Sequence, residues 1–438
     1  MTFKDAEFWA ALVMLYGVSH LLPQRLLAYA LCAFSLVFYG SLNPAYLVPL
    51  LLCVAWDYGL ARAIERAAGG RRRGLVVLSV SANLGLLIFY KYTGRTEFPI
   101  GVSFYTFQSI SYVVDVYRRR LPAEKDFTRF LLYVSFFPQL ITGPIERGRA
   151  LIPQLRKLRP LPPDQLTRPA YFILWGLVKC VLFSDQLGAL LAPLRSSGPL
   201  DLATQFLIGV ATTVKVYADF SGYSEIAQGL AMLFGVRLMT NFRPFLGARS
   251  PAEFWRAWHL SLTAWVRDYL LPLLVPRGSA GPRVASGVLL SFVLIGIWHG
   301  ASLNWFLFGA FHGLAFLGHR ELKKRAPRPW PVPLAYCGML SFYAVCGFLH
   351  AHPSGTGISQ ALQAALRVPV QVREAALLAL LLLGFVLPLV AYEKWLDPSL
   401  RSREDWPLRA RDLLLVAGLL VLVLLFNHSG TSFEYYQF

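Results

Sequence analysis

Long apolar runs recur along this chain, and they constrain its fold more than any other feature of the sequence. A helix needs about 20 apolar residues to span the hydrocarbon core of a bilayer. Repeated runs of that kind predict an all-α integral membrane protein, with about 11–12 membrane segments. The candidate runs lie at 8–22, 26–41, 44–61, 74–92, 100–117, 171–190, 202–218, 284–299, 303–318, 332–349, 374–393 and 410–427.

The composition argues against a separate soluble domain. Only 15% of the residues are charged and 56% are hydrophobic, whereas soluble domains carry about 25% charged residues. We therefore expect one polytopic membrane domain over 1–438, with a core at 8–350 and a C-terminal part at 351–438 that holds a loop and the last two membrane helices. The run 8–22 lacks a basic n-region and a cleavage site, so we expect it to stay as a membrane segment.

The net charge of +18 is explained by loops that contact anionic lipid rather than by nucleic acid. If the spans alternate, the basic loops 62–73, 118–125, 319–328 and 393–405 share one side, and the positive-inside rule makes that side cytoplasmic. Three apolar stretches broken by Pro, Gly or charges are expected to be re-entrant or interfacial. They are 127–141, 222–240 and 251–275. The five cysteines stand singly, which supports neither a zinc site nor a disulfide framework.

The stretch 249–270 reads RSPAEFWRAWHLSLTAWVRDYL. Ser250 and Glu253 form a capping-box pattern, which predicts that a helix begins at 251. Helical spacing then predicts a single face over 251–264, with the helix near the membrane plane. That face carries Trp255, Trp258, His259 and Leu262. His259 is either a hydrogen-bonded residue of an aromatic belt or part of a catalytic site, and the spacing leaves both interpretations open.

His299 closes the apolar run 284–299 in the sequence GIWHGASLNW. Gly300 permits close approach of another group, or a left-handed helix end, and Asn304 offers an amide nearby. An imidazole titrates near neutral pH and can act as a base, but a structural histidine fits these residues equally well. Neither a GxSxG motif nor metal-ligand spacing accompanies it, so the sequence predicts no serine-hydrolase triad and no metal site.

Charged residues also interrupt the apolar stretch 215–230, KVYADFSGYSEIAQGL. One interpretation is an i, i+4 pair of Lys215 with Asp219, followed by a bend at Ser221 and Gly222. The other is a polar channel lining, because ionisable residues at membrane depth are usually functional.

Six motifs in this order resemble a known family. They are GVSFYTFQSISYVVDVYR (101–118), FFPQLITGPIERGRALIPQL (136–155), YADFSGYSEIAQGLAMLFG (217–235), NFRPFL (241–246), FWRAWHLSLTAWVRDYL (254–270) and IGIWHGASLNWFLFGAFHGL (295–314). Together they are similar to the membrane-bound O-acyltransferase (MBOAT) family, in the bacterial branch that resembles the alginate O-acetyltransferase membrane subunit. The resemblance covers roughly 8–350.

The resemblance implies that an acyl group leaves a cytoplasmic thioester, on coenzyme A or a carrier protein, and is transferred to a hydroxyl. It implies that His299 is the catalytic histidine and that His259 is its partner at a passage. A neutral imidazole can remove the hydroxyl proton, and Asn304, Trp298 or backbone N–H groups are candidate donors to the oxyanion. Other passage candidates are Trp255, Trp258, Asp219, Tyr223, Arg267, Asp268 and His312.

The leading hypothesis is a bacterial inner-membrane O-acetyltransferase for an exported or cell-wall polysaccharide. It would use acetyl-CoA or an acyl-carrier thioester, hold no permanent cofactor or metal, and work with a periplasmic acetyltransferase- or esterase-like partner. A first alternative is acylation of a small molecule, lipid or natural product on the cytoplasmic side. A second is a non-enzymatic transporter or channel.

The chain departs from the family pattern at three places. Only Thr93 to Phe98 separate two motifs that are usually further apart. His350 stands where the family usually has an arginine. A pair of lysines in the family reads VKC here, at 178–180.

Overall fold

The computed structural model describes residues 1–93, 97–196, 198–326, 330–352, 355–401 and 410–426. All regular secondary structure in these ranges is helical. The first α-helices are α1 (Ala6–Ser19), α2 (Gln24–Leu42), α3 (Leu47–Arg66), α4 (Gly69–Tyr92), α5 (Val102–Tyr117), α6 (Phe127–Ser135), α7 (Gly148–Leu155), α8 (Thr167–Val178), α9 (Gln186–Ser196) and α10 (Leu202–Met232). They are followed by α11 (Pro251–Trp255), α12 (Leu260–Trp265), α13 (Leu271–Leu274), α14 (Pro282–His299), α15 (Leu303–Arg325), α16 (Val332–Ala351), α17 (Gly355–Arg367), α18 (Val372–Ala391), α19 (Asp397–Arg401) and α20 (Ala410–Phe426).

Within the described ranges, 7 helical segments are long and apolar enough to cross a membrane. Two shorter apolar helices, Ala6–Ser19 and Leu414–Phe426, correspond to the first and last predicted runs. The runs 100–117, 202–218 and 303–318 are also helical, as α5, α10 and α15, although they are not among these 7 segments. The predicted all-α membrane fold is thus confirmed. The longer segments are Gln24–Leu42, Pro44–Arg66, Gly69–Tyr92, Thr167–Ser196, Pro282–His299, Val332–Ala351 and Val372–Arg401.

The chain forms two compact units. The first contains Met1–Val178, Phe220–Thr240 and the last helix α20, and the second contains Lys179–Asp219 and residues 241–401. Helix α10 belongs to both, because its first part lies in the second unit and its last part in the first.

In the first unit, a buried polar cluster joins three helices. Asp57 of α3 is fully buried and accepts hydrogen bonds from Ser79 Oγ at 2.5 Å and Asn83 Nδ2 at 2.8 Å, both on α4. The Cys53 thiol lies 3.4 Å from the Ser109 hydroxyl on α5. Polar side chains of this kind hold helices together where lipid offers no hydrogen-bond partners.

In the second unit, α14 and α15 form a tight hairpin. A Cβ atom added to Gly296 would lie 2.2 Å from the Trp305 carbonyl oxygen, and one added to Gly309 would lie 2.4 Å from the Phe292 carbonyl oxygen. Small residues on facing helices allow this close backbone approach. The hairpin places the end of α14, with His299, against the beginning of α15.

A buried ion pair also lies in the second unit. Lys179 Nζ is 2.6 Å from Glu393 Oε1, and the two side chains are 1% and 2% exposed. The Tyr217 hydroxyl donates to the same carboxylate oxygen at 2.6 Å. Both ion-pair residues lie in π-helical turns, Lys179–Asp185 and Tyr392–Leu396, a feature that often marks functional positions in helices.

The structure differs between two of the apolar stretches that were predicted to be re-entrant or interfacial, 127–141 and 222–240. In 127–141 the regular structure breaks, because α6 ends at Ser135 and a buried non-helical segment follows. The re-entrant or interfacial placement of this stretch stays a prediction. The bend suggested at Ser221 and Gly222 is wrong, because α10 is helical through both residues. The re-entrant or interfacial placement of 222–240 stays a prediction. Gly176 of α8 permits close packing here, since a Cβ atom on it would lie 2.5 Å from the Gly222 carbonyl oxygen.

Parts of four segments discussed above lie outside the described residues. They are 94–96 of the short segment 93–98, 327–328 of the loop 319–328, 353–354 after His350, and 402–405 of the loop 393–405.

Candidate active site

His299 is the last residue of α14, and aromatic rings flank it. Its imidazole stacks on the Trp305 indole, with centroids 5.1 Å apart and planes at 25°. The Trp298 ring meets it edge-on at 4.6 Å, and the Phe308 ring meets it edge-on at 6.1 Å. Flat neighbours on several sides restrict the rotamers of His299 and give the imidazole a largely apolar setting.

Gly300 serves a purpose that the sequence did not reveal. Its φ is −176°, which is extended backbone, so the suggested left-handed helix end is wrong. A Cβ atom at this position would lie 2.3 Å from Cδ1 and 2.5 Å from Nε1 of Trp305. The space that glycine leaves beside His299 is therefore filled by Trp305.

Asn304 ties the start of α15 to α16. Its side chain is fully buried, and its amide donates to the Leu349 carbonyl at 3.1 Å. Its carbonyl oxygen accepts a hydrogen bond from the Ser302 hydroxyl. These contacts give Asn304 a structural task in positioning the residues next to His299.

The helix predicted over 251–264 begins as expected but is not continuous. Ser250 Oγ accepts a hydrogen bond from Glu253 N at 3.2 Å, which confirms the helix start at 251. Glu253 reaches the Arg249 N–H at 2.7 Å. The α-helix ends at Trp255 and resumes at Leu260, so the single face predicted for residues 255 to 262 is wrong.

His259 lies at this break with φ of 42°, in the left-handed region that non-glycine residues seldom adopt. Tertiary contacts maintain this conformation. Its Nδ1 lies 3.1 Å from Asn241 Oδ1, and the Leu260 N–H donates to the Asn241 carbonyl at 2.8 Å. The His259 ring stacks over Phe242 at 6.2 Å. Asn241 thus fixes both the backbone and the ring of His259, and a strained residue held in this way is typical of functional sites.

The hydrogen bonds also assign the tautomer of His259. Asn241 Oδ1 accepts from the Ser261 N–H at 3.2 Å, which identifies that atom as the oxygen. His259 Nδ1 must then be the donor, and Nε2 carries the lone pair. Burial lowers the pKa of His259 to about 3, so the ring is neutral at physiological pH.

A small cavity lies between α10, α15, α16 and the segment that contains α11. The cavity has a volume of about 40 Å³. Aromatic rings lead from it towards both histidines: Phe308 lies 4.4 Å from His312 and also contacts His299, and Trp258 contacts Phe242 at 5.3 Å. Its lining residues are Thr212, Thr213, Val216, Phe254, Trp258, Phe308, His312, Cys346, Gly347 and His350.

Three of the predicted passage residues belong to this region. His312 and Trp258 line the cavity, and Trp255 packs edge-on against His312 at 5.1 Å. His312 Nε2 lies 3.4 Å from the Cys346 thiol. Trp298 is buried beside His299.

Four other predicted residues do not line this cavity. Asp219 is buried in α10, where its carbonyl accepts from the Cys180 thiol at 3.6 Å. Tyr223 is a residue of the first unit and stacks against Phe3 at 4.9 Å. Arg267 and Asp268 form an ion pair at 3.1 Å, and the arginine side chain is 70% exposed.

Sequence reasoning missed the contribution of α16. His350 was noted only as a departure from a pattern, yet it lines the cavity, as does Cys346 one turn earlier. The i, i+4 spacing of these two polar residues in an apolar helix was an available signal. Within the described residues, no group of three or more His, Cys, Asp or Glu side chains is arranged to hold a metal ion.

Comparison with known proteins gives consistent matches. A profile of the membrane-bound O-acyltransferase family matches residues 117–352. The chain is 33% identical over 341 residues to a probable alginate O-acetylase of Pseudomonas syringae pv. tomato, covering 72% of this chain and 65% of that protein. It is 33% identical over 354 residues to the corresponding protein of Pseudomonas aeruginosa, covering 75% of this chain and 68% of that one. A peptidoglycan O-acetyltransferase of Helicobacter pylori is 28% identical over 355 residues, with 70% and 66% covered.

Proposed function

Because this chain belongs to the membrane-bound O-acyltransferase family, we propose that it transfers an acetyl group from a cytoplasmic thioester to a hydroxyl of an exported or cell-wall polysaccharide. The observation that carries the proposal is His299, held among aromatic rings at the end of α14. The relatives named above act, by their names, on alginate and peptidoglycan, which are both polysaccharides.

The reaction needs a base in a setting that excludes water. The acceptor hydroxyl attacks the thioester carbonyl, a C–O bond forms, and the C–S bond breaks. His299 takes the hydroxyl proton and returns it to the leaving thiolate, so the enzyme is unchanged after each turnover. Apolar walls limit hydrolysis of the thioester, and in this structure Trp298, Trp305 and Phe308 provide such walls around the imidazole.

His259 would assist through its fixed position rather than as the proton acceptor. Asn241 and Phe242 hold its ring, and its Nε2 carries a lone pair. A neutral imidazole oriented in this way can accept a hydrogen bond from the incoming hydroxyl. We propose that His259 orients the acceptor while His299 removes the proton.

The cellular setting is part of the same proposal. The chain is a multi-pass membrane protein, and we place it in the bacterial inner membrane, where it can reach a cytoplasmic acetyl-CoA or acyl-carrier donor. A periplasmic acetyltransferase- or esterase-like partner would work with this chain outside the membrane.

Deletion and complementation test this function. Polysaccharides and metabolites of a deletion strain would be compared by mass spectrometry with those of strains complemented with the wild-type gene, His299→Ala or His20→Ala. We expect ester-linked acetate to return with the wild type and with His20→Ala, since His20 is exposed, but not with His299→Ala. If the His299→Ala gene restored the ester-linked acetate, His299 would not be the base. If the deletion strain lost acyl groups from a small molecule instead of a polysaccharide, that small molecule would be the acceptor.

A further inference from the structure

The imidazole of His259 is held by two different contacts. Its Nδ1 donates to Asn241 Oδ1 at 3.1 Å, and its face stacks against Phe242, with ring centroids 6.2 Å apart and planes at 28°. The hydrogen bond restrains one atom of the ring. The direction of Nε2, at the far end of the imidazole, therefore depends on the stacked ring of Phe242 as well.

Tyr217 of α10 lies behind Phe242. Its ring meets the Phe242 ring edge-on, with centroids 5.9 Å apart. It also lies 4.6 Å from the ring of Phe245 and 6.3 Å from that of Trp258, the residue before His259. Aromatic pairs have preferred arrangements and protein interiors are close-packed, so a shift of the tyrosine ring would move its neighbours.

The position of Tyr217 is set in turn by a carboxylate from the C-terminal part of the chain. Glu393 Oε1 accepts a hydrogen bond from the Tyr217 hydroxyl at 2.6 Å, and Lys179 Nζ lies 2.6 Å from the same oxygen. All three side chains are buried. A buried carboxylate needs a counter-charge, which Lys179 supplies, and a hydrogen bond to an ionised acceptor is stronger than one between neutral groups.

These contacts form one series within the second unit, from Glu393 through Tyr217 and Phe242 to His259. Glu393 lies beyond residue 352, where the match to the family profile ends. The C-terminal part, for which the sequence predicted only a loop and two membrane helices, is thus connected to the candidate site.

We infer that Tyr217, anchored by Glu393, is a positioning residue that holds the His259 ring in the direction needed to orient the acceptor hydroxyl. The inference rests on the proposed function, in which His259 orients the acceptor. Tyr217 acts through Phe242 and Trp258 rather than on the substrate. Loss of the anchor loosens the imidazole and impairs use of the acceptor, while use of the thioester donor is unchanged.

Tyr217→Phe tests the anchor with the loss of one oxygen atom. It leaves the Lys179–Glu393 ion pair in place, and it keeps the ring over which Lys179 Nζ lies at 5.3 Å. Tyr39→Phe is the matched control, because Tyr39 of α2 is fully buried in the first unit and donates to the Ile100 carbonyl at 2.7 Å. Both variants lose a buried hydroxyl and its hydrogen bond, so a general loss of stability should appear in both.

The first measurement follows the His259 ring itself. Diethyl pyrocarbonate modifies neutral imidazoles, and peptide mass spectrometry gives the rate at His259 relative to the exposed His20 in the full-length detergent-solubilised protein. We expect slow modification of His259 in the wild type and in Tyr39→Phe. In Tyr217→Phe the rate should rise about tenfold or more, the factor that a hydrogen bond to a charged group typically contributes.

The second measurement is transfer in membranes of the complemented deletion strain, with acetyl-CoA as donor and the polysaccharide of the uncomplemented strain as acceptor. In Tyr217→Phe, kcat/KM for the polysaccharide should fall at least about tenfold, because a misplacement of about 1 Å can cost about 100-fold in rate. The KM for acetyl-CoA should stay at its wild-type value. Tyr39→Phe should match the wild type in both constants.

Two double variants separate the hydrogen bond from the charges. Lys179→Met with Glu393→Gln keeps an oxygen that can accept from the Tyr217 hydroxyl, whereas Lys179→Met with Glu393→Met does not. Neither leaves an unpaired buried charge, so both should fold. We expect the glutamine variant to keep transfer and slow modification of His259, and the methionine variant to behave like Tyr217→Phe.

The outcomes separate this inference from the proposed function. Wild-type transfer in Tyr217→Phe, with or without faster modification of His259, would overturn the positioning role and leave the proposed function in place. Equal losses in Tyr217→Phe and Tyr39→Phe, or a matching rise in the KM for acetyl-CoA, would overturn it too. If Tyr217→Phe exposed His259 to the reagent while wild-type membranes acetylated no polysaccharide, the anchor would stand and the proposed function would be wrong.

Discussion

The imidazole of His299 stacks on the indole of Trp305 at 5.1 Å, and the missing side chain of Gly300 makes this contact possible. Trp305 also meets the His350 ring edge-on at 5.5 Å. One tryptophan thus links the residue proposed as base with a residue of the cavity wall. The contact explains why a glycine follows the histidine in the sequence.

Gly300→Ala should therefore impair transfer although it leaves every functional side chain in place. The added methyl group would displace Trp305, and the backbone at φ −176° accepts alanine without strain. A misplacement of about 1 Å at a reacting group can cost about 100-fold in rate, so we expect a loss of at least tenfold. Gly318→Ala on α15, where a Cβ meets nothing within 4 Å, is the matched control. Equal activities of the two variants would contradict the positioning role of Trp305.

His299→Ala and His299→Gln should both lose about 10²–10⁴-fold of the acyl-transfer rate while the protein stays folded and inserted. Glutamine can donate a hydrogen bond but cannot take the proton. His20→Ala is the control. His350→Ala, which sequence reasoning alone would choose as a control, is unsuitable because His350 lines the cavity. Retention of more than about a tenth of the wild-type rate in His299→Ala would show that another group is the base.

The sequence predicted the helices well, because the bilayer imposes a length and an apolar composition on every spanning segment. It failed where tertiary contacts override local pattern. The residues from Trp255 to Leu262 have helical spacing, but Asn241, distant in the chain, holds His259 in a left-handed conformation that breaks the helix. Ser221 and Gly222 look like a bend in isolation, yet α10 is helical through them, and the Gly222 carbonyl packs against Gly176 of α8.

The candidate site could likewise be predicted only in part. Motif order led to His299, His259 and His312, which lie along one set of contacting rings in the second unit. The cavity depends on the approach of α10 to α16, at Gly209 and Gly347. Residues so far apart in the chain leave no local periodicity, so no sequence pattern could have predicted that contact.

The cytoplasmic placement of the basic loops remains a prediction that labelling can check. Arg72 is a poor labelling position, because its guanidinium donates to the Tyr117 carbonyl at 2.7 Å. We would introduce Arg71→Cys, Lys324→Cys or Ala45→Cys, all at exposed positions, in a Cys337→Ser background that removes the exposed cysteine. An impermeant maleimide should label only the Ala45→Cys variant in intact cells. If the other two variants were labelled in intact cells, the basic loops would lie outside and the predicted orientation would be wrong.

His259 should make stability depend on pH. Its pKa is lowered by burial to about 3, while an unfolded histidine has its ordinary value of 6.5. Above pH 6.5 the ring is neutral in both states. As the pH falls from 6.5 towards 3, the unfolded state binds a proton that the folded state excludes, so stability declines by up to about 1.4 kcal/mol per pH unit.

The variant His259→Asn isolates this effect, since asparagine tolerates a left-handed conformation and does not titrate. Melting temperatures of the wild type and the variant would be compared at pH 7 and pH 5. We expect the difference between them to shrink or reverse at the lower pH. If the difference in melting temperature were the same at pH 7 and pH 5, His259 would take up a proton in the folded protein as readily as in the unfolded one.

The buried ion pair of Lys179 with Glu393 leads to a prediction about stability. A double variant that lacks both charges should be more stable than either variant that lacks one. Lys179→Met leaves a buried carboxylate, and Glu393→Gln leaves a buried ammonium group. Breaking a buried pair in this way typically costs about 3–5 kcal/mol, whereas removing both charges is often close to neutral. The Tyr217 hydroxyl can still donate to the glutamine oxygen in the double variant, since it donates to Glu393 Oε1 in the wild type. Thermal unfolding of the four proteins in one detergent measures the coupling. Additive losses in the double variant would show that the two charges do not stabilise each other.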